Sequence, residues 1–151
     1  MSAASDKNSE LTRTIQIGQL RSVADPLQEL LSRATDEERS ILAELSDDAA
    51  MLISLSGPSR GARFLIDSDE TRIGRATDNE IFLDDVTVSR HHAVIKRIGK
   101  SYTIEDLASL NGTYVDGTSV SAAALRSGVE VQIGKFRMHF FSGSTNGRSD
   151  Q

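Results

Sequence analysis

The chain has 151 residues, of which 38% are hydrophobic and 26% are charged. This length suits about one globular domain, so a multi-domain enzyme is excluded. No run approaches the ~18 apolar residues of a membrane-spanning helix. The formal net charge is −5: residues 1–49 carry ten acidic and five basic side chains, and the remainder carries twelve of each. This balance argues against a basic nucleic-acid-binding domain.

The sequence contains no cysteine. Disulfides, thiolate metal ligands and a cysteine nucleophile are therefore excluded. The first residues lack the basic start and apolar region of a secretory signal. We expect a cytoplasmic protein that has no membrane partner.

The N-terminal third is predicted to be a flexible acidic tail with short helical segments. Its first ~25 residues have too little apolar mass to offset the entropy of ordering. Asp25, Pro26 and Gln28 have the order of an N-cap, a first helical residue and a capping-box partner. Thr35 and Glu38 repeat the capping-box spacing, so two short helices are expected. On one interpretation, these helices belong to a linker or pack loosely on the β domain. On the other, they form an arm that binds a partner.

From Met51 onward, short β-branched or aromatic runs alternate with turn residues, and no helical pattern interrupts them. We predict an all-β sandwich of two antiparallel sheets with about nine or ten strands, preceded by the tail and carrying its chemistry on loops at one end. The predicted boundaries are a tail at 1–49, a β domain at 50–142 and a disordered C-terminal tail at 143–151. The expected strands are Met51–Ser56, Ala62–Asp67, Thr71–Gly74, Glu80–Leu83, Ala93–Ile98, Tyr102–Asp106, Thr113–Val115, Glu130–Ile133 and Phe136–Phe141.

Three short segments fall where predicted strands meet loops: Gly74-Arg75, Ser89-Arg90-His91-His92 and Ser109-Leu110-Asn111-Gly112-Thr113. A phosphothreonine carries about −1.5 to −2 charges and three acceptor oxygens, so its receptor needs cationic and hydroxyl donors at one point. Arg75 can supply a planar guanidinium, Ser89 a hydroxyl donor and Arg90 a second cation. Asn111 can both donate and accept hydrogen bonds, as holding an extended peptide requires.

Together, these three segments resemble the forkhead-associated (FHA) domain, which binds phosphothreonine peptides. The resemblance covers roughly residues 50–142. It implies that Arg75 and Ser89 bind the phosphate, that Arg90 assists and that Asn111 holds the peptide main chain. We also expect no cofactor, no metal ion and no catalytic residue. The supporting structural residues would be Gly74, His92, Ser109, Gly112 and Thr113.

Each of these residues also has a plainer interpretation. Arg75 could be a solvated surface charge, Ser89 could cap a turn, and Asn111-Gly112 is a common hairpin turn. His91 and His92 are neighbours on extended chain, so their side chains point to opposite faces and cannot share a metal ion.

The segment Gly57–Gly61 matches the G-x-S-x-G pattern of a serine hydrolase, with Ser59 as the nucleophile. That motif requires a strand, a sharp turn and a helix. Here a strand pattern resumes at Ala62, so a Ser59 hydrolase is only a remote alternative.

Three longer segments are similar to one group within the FHA family, the small actinobacterial FHA regulators of 2-oxoglutarate metabolism. The similarity implies a protein that, when unphosphorylated, binds and inhibits 2-oxoglutarate dehydrogenase and modulates glutamate-metabolising enzymes. It also implies that a serine/threonine kinase modifies a tail threonine, after which the tail folds onto its own FHA site. The segments are Ile81–Arg90, Ser109–Val115 and Val131–Arg137.

The tail departs from that group's pattern of consecutive threonines, Glu-Thr-Thr-x-Val-Phe, because its two threonines, Thr12 and Thr14, are separated. Thr14 has Ile17 three positions later, and Thr12 has Ile15 at the same offset. We predict phosphorylation at Thr14, with Thr12 as the alternative. About 35 residues separate Thr14 from the β domain, enough for the tail to reach the loops at an effective concentration of order mM.

The sequence therefore predicts a kinase-controlled, monomeric, non-enzymatic regulator that binds phosphothreonine-containing proteins. Two alternatives remain within this class. One is a phosphorylation-independent inhibitor of an enzyme of the 2-oxoglutarate dehydrogenase type, and the other is a simple phosphorylation-dependent scaffold.

Overall fold

The computed structural model describes residues 26–143, which form two short helices and eleven strands. The chain divides after Arg33 into two compact units. The helices are α1 (Pro26–Leu31) and α2 (Asp36–Ala43). The strands are β1 (Ala50–Ile53), β2 (Arg63–Ile66), β3 (Glu70–Gly74), β4 (Ile81–Phe82), β5 (Ala93–Ile98), β6 (Ser101–Asp106), β7 (Thr113–Val115), β8 (Thr118–Val120), β9 (Ala122–Leu125), β10 (Glu130–Ile133) and β11 (Phe136–Ser142).

Both predicted helices are present. In the first unit, α1 begins at Pro26, whose missing N–H costs nothing in a first turn. The predicted N-cap, Asp25, lies outside the described residues. In the second unit, the Thr35 hydroxyl accepts the Glu38 N–H at 3.0 Å, and the Glu38 carboxylate accepts the Thr35 N–H at 2.9 Å. The predicted capping box of α2 is therefore confirmed.

The strands of the second unit form two sheets. One has six strands in the order β2-β1-β11-β10-β7-β8, and the other has five in the order β4-β3-β5-β6-β9. The prediction of two sheets is confirmed, but β4 pairs with β3 in parallel, with Ile73 opposite Ile81. Residues 75–80 double back before β4 begins, so β4 runs in the same direction as β3.

Two strands, β8 and β9, were not predicted. β8 follows β7 through a two-residue turn at Asp116 (φ 51°) and Gly117 (φ 83°), both in the left-handed region that such hairpins require. β9 contains three alanines, which favour strands weakly. Its pairing with β6, with Ala122 opposite Glu105 and Leu125 opposite Tyr102, holds it at the edge of the sheet.

The inner faces of the two sheets form one hydrophobic core, and the rings of Tyr102 and Phe140 meet edge to face at a centroid distance of 5.2 Å. Fully burying each large aliphatic side chain contributes about 1.5–3 kcal/mol relative to exposure. The core thus fixes the strand ends from which the loops leave. Its buried members include Leu52, Ile66, Ile73, Ile81, Ile95, Ile104, Ile133, Met138 and Phe140. Within residues 26–143, no helix is long and apolar enough to cross a membrane.

The segment Gly57–Gly61 lies in the loop that joins β1 to the antiparallel β2. The Ser59 hydroxyl is 2.8 Å from that of Ser54, and the next element is a strand. The helix that a hydrolase nucleophile turn requires does not follow Ser59.

Candidate functional site

Three loops meet at one end of the sandwich: residues 75–80, 83–92 and 107–112. β3, β5 and β6 are antiparallel neighbours, so the end of β3, the start of β5 and the end of β6 lie together. The third loop crosses from β6 in one sheet to β7 in the other. This end therefore combines chain from both sheets.

The first two loops are joined by hydrogen bonds around Arg75. Its backbone N–H donates to the Ser89 carbonyl at 2.9 Å, and the N–H of Ala76 donates to the Arg90 carbonyl at 3.1 Å. The Arg75 Nε also donates to the Val88 carbonyl at 3.1 Å. Its Nη1 and Nη2 make no hydrogen bond or ion pair with any described residue. These two nitrogens are available to an anionic ligand.

Close contact between these loops requires a glycine at position 74. A Cβ on Gly74 would collide with the Arg90 carbonyl oxygen and lie 2.7 Å from Nδ2 of Asn79. Asn79 is only 7% exposed, and its amide donates to the carbonyls of Ala76 at 2.7 Å and Arg90 at 2.8 Å. Asn79 therefore ties the loop that contains Arg75 to the one that contains Ser89.

His92 joins the second loop to the third. Its imidazole is 0% exposed: Nδ1 accepts the backbone N–H of Ser89 at 3.0 Å, and Nε2 lies 2.8 Å from the Gly112 carbonyl. Because Nδ1 is an acceptor, Nε2 carries the proton and donates it to Gly112. His91, by contrast, is exposed and lies beside Asp78.

Ser89 and Asn111 also bridge these two loops. The Ser89 hydroxyl oxygen accepts the Leu110 N–H at 3.0 Å, and Asn111 Nδ2 donates to the Thr87 carbonyl at 2.9 Å. These bonds orient both side chains. They leave the Ser89 hydroxyl proton, the second amide proton of Asn111 and its Oδ1 without a partner among the described residues.

The half-buried carboxylate of Asp106 organises the third loop. It accepts the Ser109 hydroxyl at 2.5 Å, the Ser109 N–H at 3.1 Å and the Thr113 hydroxyl at 2.8 Å. Ser109 Oγ in turn accepts the Gly112 N–H at 3.0 Å. Burial raises the pKa of Asp106, but these hydrogen bonds outweigh it and hold the pKa below its usual value. The loop is thus fixed through Ser109 and Thr113.

A second carboxylate, Asp85, fixes Thr87. It accepts the Thr87 hydroxyl at 2.5 Å and the Thr87 N–H at 2.9 Å, and it pairs with Lys135 Nζ at 3.0 Å. These contacts, with the Thr87 hydroxyl first, lower the pKa of Asp85 to about 2. The N–H of Lys135 also donates to the Thr87 hydroxyl oxygen at 2.9 Å. We call this group of Asp85, Thr87 and Lys135 the clasp.

Of the predicted site residues, Arg75, Ser89 and Asn111 are brought together by this network, as are Gly74, His92, Ser109, Gly112 and Thr113. Arg90 follows Ser89 and is exposed, and its guanidinium makes no hydrogen bond or ion pair with a described residue. Thr12 and Thr14 lie outside the described residues. In residues 26–143, no group of three or more metal-ligating side chains is present.

Sequence reasoning missed four residues that hold the loops: Asn79, Asp85, Asp106 and Lys135. The spacings Asp85-x-Thr87 and Asp106-x-x-Ser109 are those of local side-chain-to-backbone turns and could have revealed the two carboxylates. No local signal marks Lys135, which lies 48 positions from Thr87. Two exposed apolar side chains at the same end, Val86 (90% exposed) and Leu110 (88%), were also not singled out.

The fold and the loops define the class of protein: the FHA domain family model matches residues 71–134. Mycobacterium tuberculosis EmbR, solved in complex with a low affinity phosphopeptide, aligns with a TM-score of 0.59 at 32% identity, covering 81% of this chain and 30% of EmbR. A structure from an analysis of phosphothreonine-dependent FHA domain interactions aligns with a TM-score of 0.56 at 28% identity, covering 62% of this chain and 95% of that one. The predicted fold class is confirmed.

Curated relatives extend this likeness to most of the chain. The protein of Corynebacterium jeikeium named oxoglutarate dehydrogenase inhibitor is 45% identical over 122 residues, covering 80% of this chain and 85% of the relative. The glycogen accumulation regulator GarA of Mycobacterium tuberculosis is 45% identical over 130 residues, covering 84% and 80%. This chain belongs to the FHA-domain family of regulators that includes both. Both relatives are named for inhibition or regulation rather than for catalysis.

Replacing Gly74 with alanine should weaken phosphothreonine-peptide binding and lower the free energy of unfolding by about 1–3 kcal/mol, because the methyl group forces the two loops apart. Denaturant unfolding and isothermal titration with one phosphopeptide measure both effects.

The control is Gly99→Ala in the β5–β6 turn, at the other end of the sandwich. Gly99 has φ +62° and open space around it, so only backbone strain is added. Stability should fall and affinity should not. Unchanged affinity in folded Gly74→Ala would contradict the role given to this contact.

The low pKa of Asp85 predicts acid sensitivity. Because the folded-state pKa of about 2 lies below the usual 3.8, the clasp's contribution is present above about pH 4 and is lost as the pH falls towards 2. Asp85→Asn should therefore flatten the decline of the unfolding free energy between pH 5 and pH 2, as measured by urea titrations. Asp84→Asn, the exposed neighbour, should leave the decline unchanged; equal slopes for the two variants would refute the assignment.

Proposed function

We propose that this protein is a non-enzymatic, cytoplasmic regulator that binds phosphothreonine through Arg75, Ser89, Arg90 and Asn111, and that a kinase controls it through its N-terminal tail. One observation carries the proposal. Hydrogen bonds between the loops hold Arg75 and Ser89 in place, while the Nη groups of Arg75 and the hydroxyl proton of Ser89 have no partner within residues 26–143. FHA-family membership supplies the ligand class.

The phosphate is held by donors that have no partner within residues 26–143. Nε of Arg75 is committed to the Val88 carbonyl, so the guanidinium plane is fixed and its Nη groups can make two parallel bonds to phosphate oxygens. The Ser89 hydroxyl accepts from Leu110, so its own proton is free to donate. Arg90 adds a second positive charge beside them. Because these donors are already oriented, little ordering is needed on binding.

Asn111 holds the ligand's main chain. One amide proton is used by the Thr87 carbonyl, which leaves one donor and the Oδ1 acceptor. That pair matches the N–H and C=O of a single peptide residue. Asn111 therefore makes the site favour phosphothreonine within an extended peptide over free phosphate.

Arg75→Ala should weaken phosphothreonine-peptide binding about 30-fold or more, because a charge-assisted bidentate contact is lost. Fluorescence polarisation with one labelled peptide and its unphosphorylated version measures the effect. Arg126→Ala is the matched control, since Arg126 is an exposed arginine beyond β9 at the other end of the sandwich. Equal losses in the two variants would point to general electrostatics and overturn the site.

The tail, residues 1–49, is proposed to regulate this site, with residues 50–142 as the binding domain and 143–151 as a terminal extension. Phosphorylation of Thr14, or of Thr12, adds the ligand that the site recognises, at a local concentration of order mM. Intramolecular capture then blocks access to the site by other proteins.

A second candidate function is direct inhibition of a metabolic enzyme by the unphosphorylated protein. The name of the Corynebacterium jeikeium relative, oxoglutarate dehydrogenase inhibitor, favours it. We propose that the same loop surface binds an enzyme of this type, or a glutamate-metabolising enzyme, until the tail occupies it. A scaffold that binds only phosphorylated proteins would lack this activity.

Kinase treatment should change the NMR shifts of the Arg75, Ser89 and Asn111 amides in the full chain, because the tail then contacts them. The same treatment should release 2-oxoglutarate dehydrogenase from inhibition in an activity assay. Unphosphorylated protein that neither binds nor inhibits the enzyme would leave the scaffold as the function.

Single-threonine variants locate the modified residue. Thr12→Ala should behave as the natural protein does, and Thr14→Ala should show neither the shift changes nor the release. Unchanged loop signals in a sample fully phosphorylated at Thr14 would refute the closed form; the reverse pattern would assign the switch to Thr12.

A further inference from the structure

A cavity of about 570 Å³ opens beside Asn111 and continues along the outer face of the six-stranded sheet. We call it the shelf. Its rim at the loops is formed by Thr87 and Asn111, and the two basic residues Lys135 and Arg137 lie along it. The shelf therefore begins where the proposed peptide clamp ends.

The floor of the shelf is a row of side chains on three neighbouring strands. Gln132 of β10 lies opposite Tyr114 of β7 on one side and opposite Arg137 of β11 on the other. Directly opposed residues share a face of the sheet. Thr113 and Ile133, which alternate with this row, are 0% exposed in the core, so the row faces outward.

The two basic side chains of the shelf differ in whether they are paired with an acidic residue. Lys135 Nζ is paired with Asp85 at 3.0 Å as part of the clasp. Arg137 is exposed and makes no ion pair or hydrogen bond with any described residue. In the next row away from the loops, Glu130 lies opposite His139, so an acidic side chain limits the positive patch there. Arg137 is thus the shelf's available cation.

The shelf lies within reach of a peptide held at the loops. Neighbouring strands are about 4.8 Å apart, so two strand spacings separate Tyr114 from Arg137 by about 10 Å. An extended peptide advances about 3.3 Å per residue. Asn111 and Arg137 line the same cavity. With Asn111 holding the main chain next to the phosphothreonine, about three further residues span the roughly 10 Å of the row, so a side chain about four positions away reaches Arg137.

We propose that Arg137 reads an acidic side chain about four residues from the phosphothreonine, so that the shelf favours acidic phosphopeptides. This inference rests on the proposed function and deepens it by naming a feature of the ligand. The amide of Gln132 and the phenol of Tyr114 line the same path and can bond to the peptide's main chain or to its carboxylate.

The test uses the full chain and four peptides with one phosphothreonine, carrying Glu or Gln four positions before it or four positions after it. At low ionic strength, Glu should improve affinity over Gln by about two- to five-fold on one of the two sides, the range for an exposed ion pair. Arg137→Gln should abolish that preference, and 0.5 M salt should reduce it in the natural protein.

Arg126→Gln is the matched control and should keep the preference. No preference for Glu on either side, or one that persists in Arg137→Gln, overturns the inference while leaving the proposed function intact. Failure of all four peptides to bind overturns both.

The side of the phosphothreonine on which Glu is preferred also matters for the tail, since Glu10 stands four residues before Thr14 and Gly18 four residues after it. A preference before the phosphothreonine strengthens the closed form, and one after it favours other proteins over the tail.

Discussion

The imidazole of His92 joins the loop that leads into β5 to the loop that crosses from the five-stranded sheet to the six-stranded one. Its Nδ1 accepts a hydrogen bond from the Ser89 backbone N–H, its Nε2–H donates one to the Gly112 carbonyl, and the ring is 0% exposed. A buried polar group with both partners satisfied is stabilising, whereas one left unpaired costs about 1–3 kcal/mol. The bonds from Leu110 to Ser89 and from Asn111 to Thr87 join the same two loops, so their geometry depends on the separation that His92 helps to set.

Around that contact, the site is built in layers of decreasing burial. Asp106 and Asn79 fix loop backbone, the clasp fixes Thr87, and the exposed side chains of Arg75 and Asn111 keep unused hydrogen-bonding groups towards solvent. Donors that point outward from a rigid base recognise an anion without reorganising. The same logic explains why Arg75 uses its Nε internally: a guanidinium held at one nitrogen presents the others in a fixed plane.

Local sequence pattern predicted the parts of the fold that local chemistry decides. β5, β7 and β10 have the predicted bounds because short runs rich in β-branched or aromatic residues stand between turn residues. β9 could not be predicted in this way, since its alanines become a strand only by pairing with β6. The parallel direction of β4 likewise depends on how residues 75–80 return across the sheet end.

In the candidate site, too, some features follow from local sequence and others depend on distant contacts. The residue types that suit a phosphate and a peptide, Arg75, Ser89 and Asn111, were recognisable from their chemistry and order. His92 was predicted as a supporting residue from the family resemblance. Asn79 and Lys135 were not predicted, because their bonds join distant positions: Asn79 to Arg90, 11 positions apart, and Lys135 to Thr87, 48 positions apart. Such partners become neighbours only once the sheets have packed.

The third loop leaves the five-stranded sheet at β6 and enters the six-stranded sheet at β7. A ligand that touches Arg75 and Asn111 together therefore fastens the two layers to each other. Since it binds the folded chain and not the unfolded one, occupancy lowers the population of open states that proteases cleave. A chain that captured its own tail would carry its ligand for as long as the tail stayed phosphorylated, so its lifetime in the cell would be set by the balance of kinase and phosphatase.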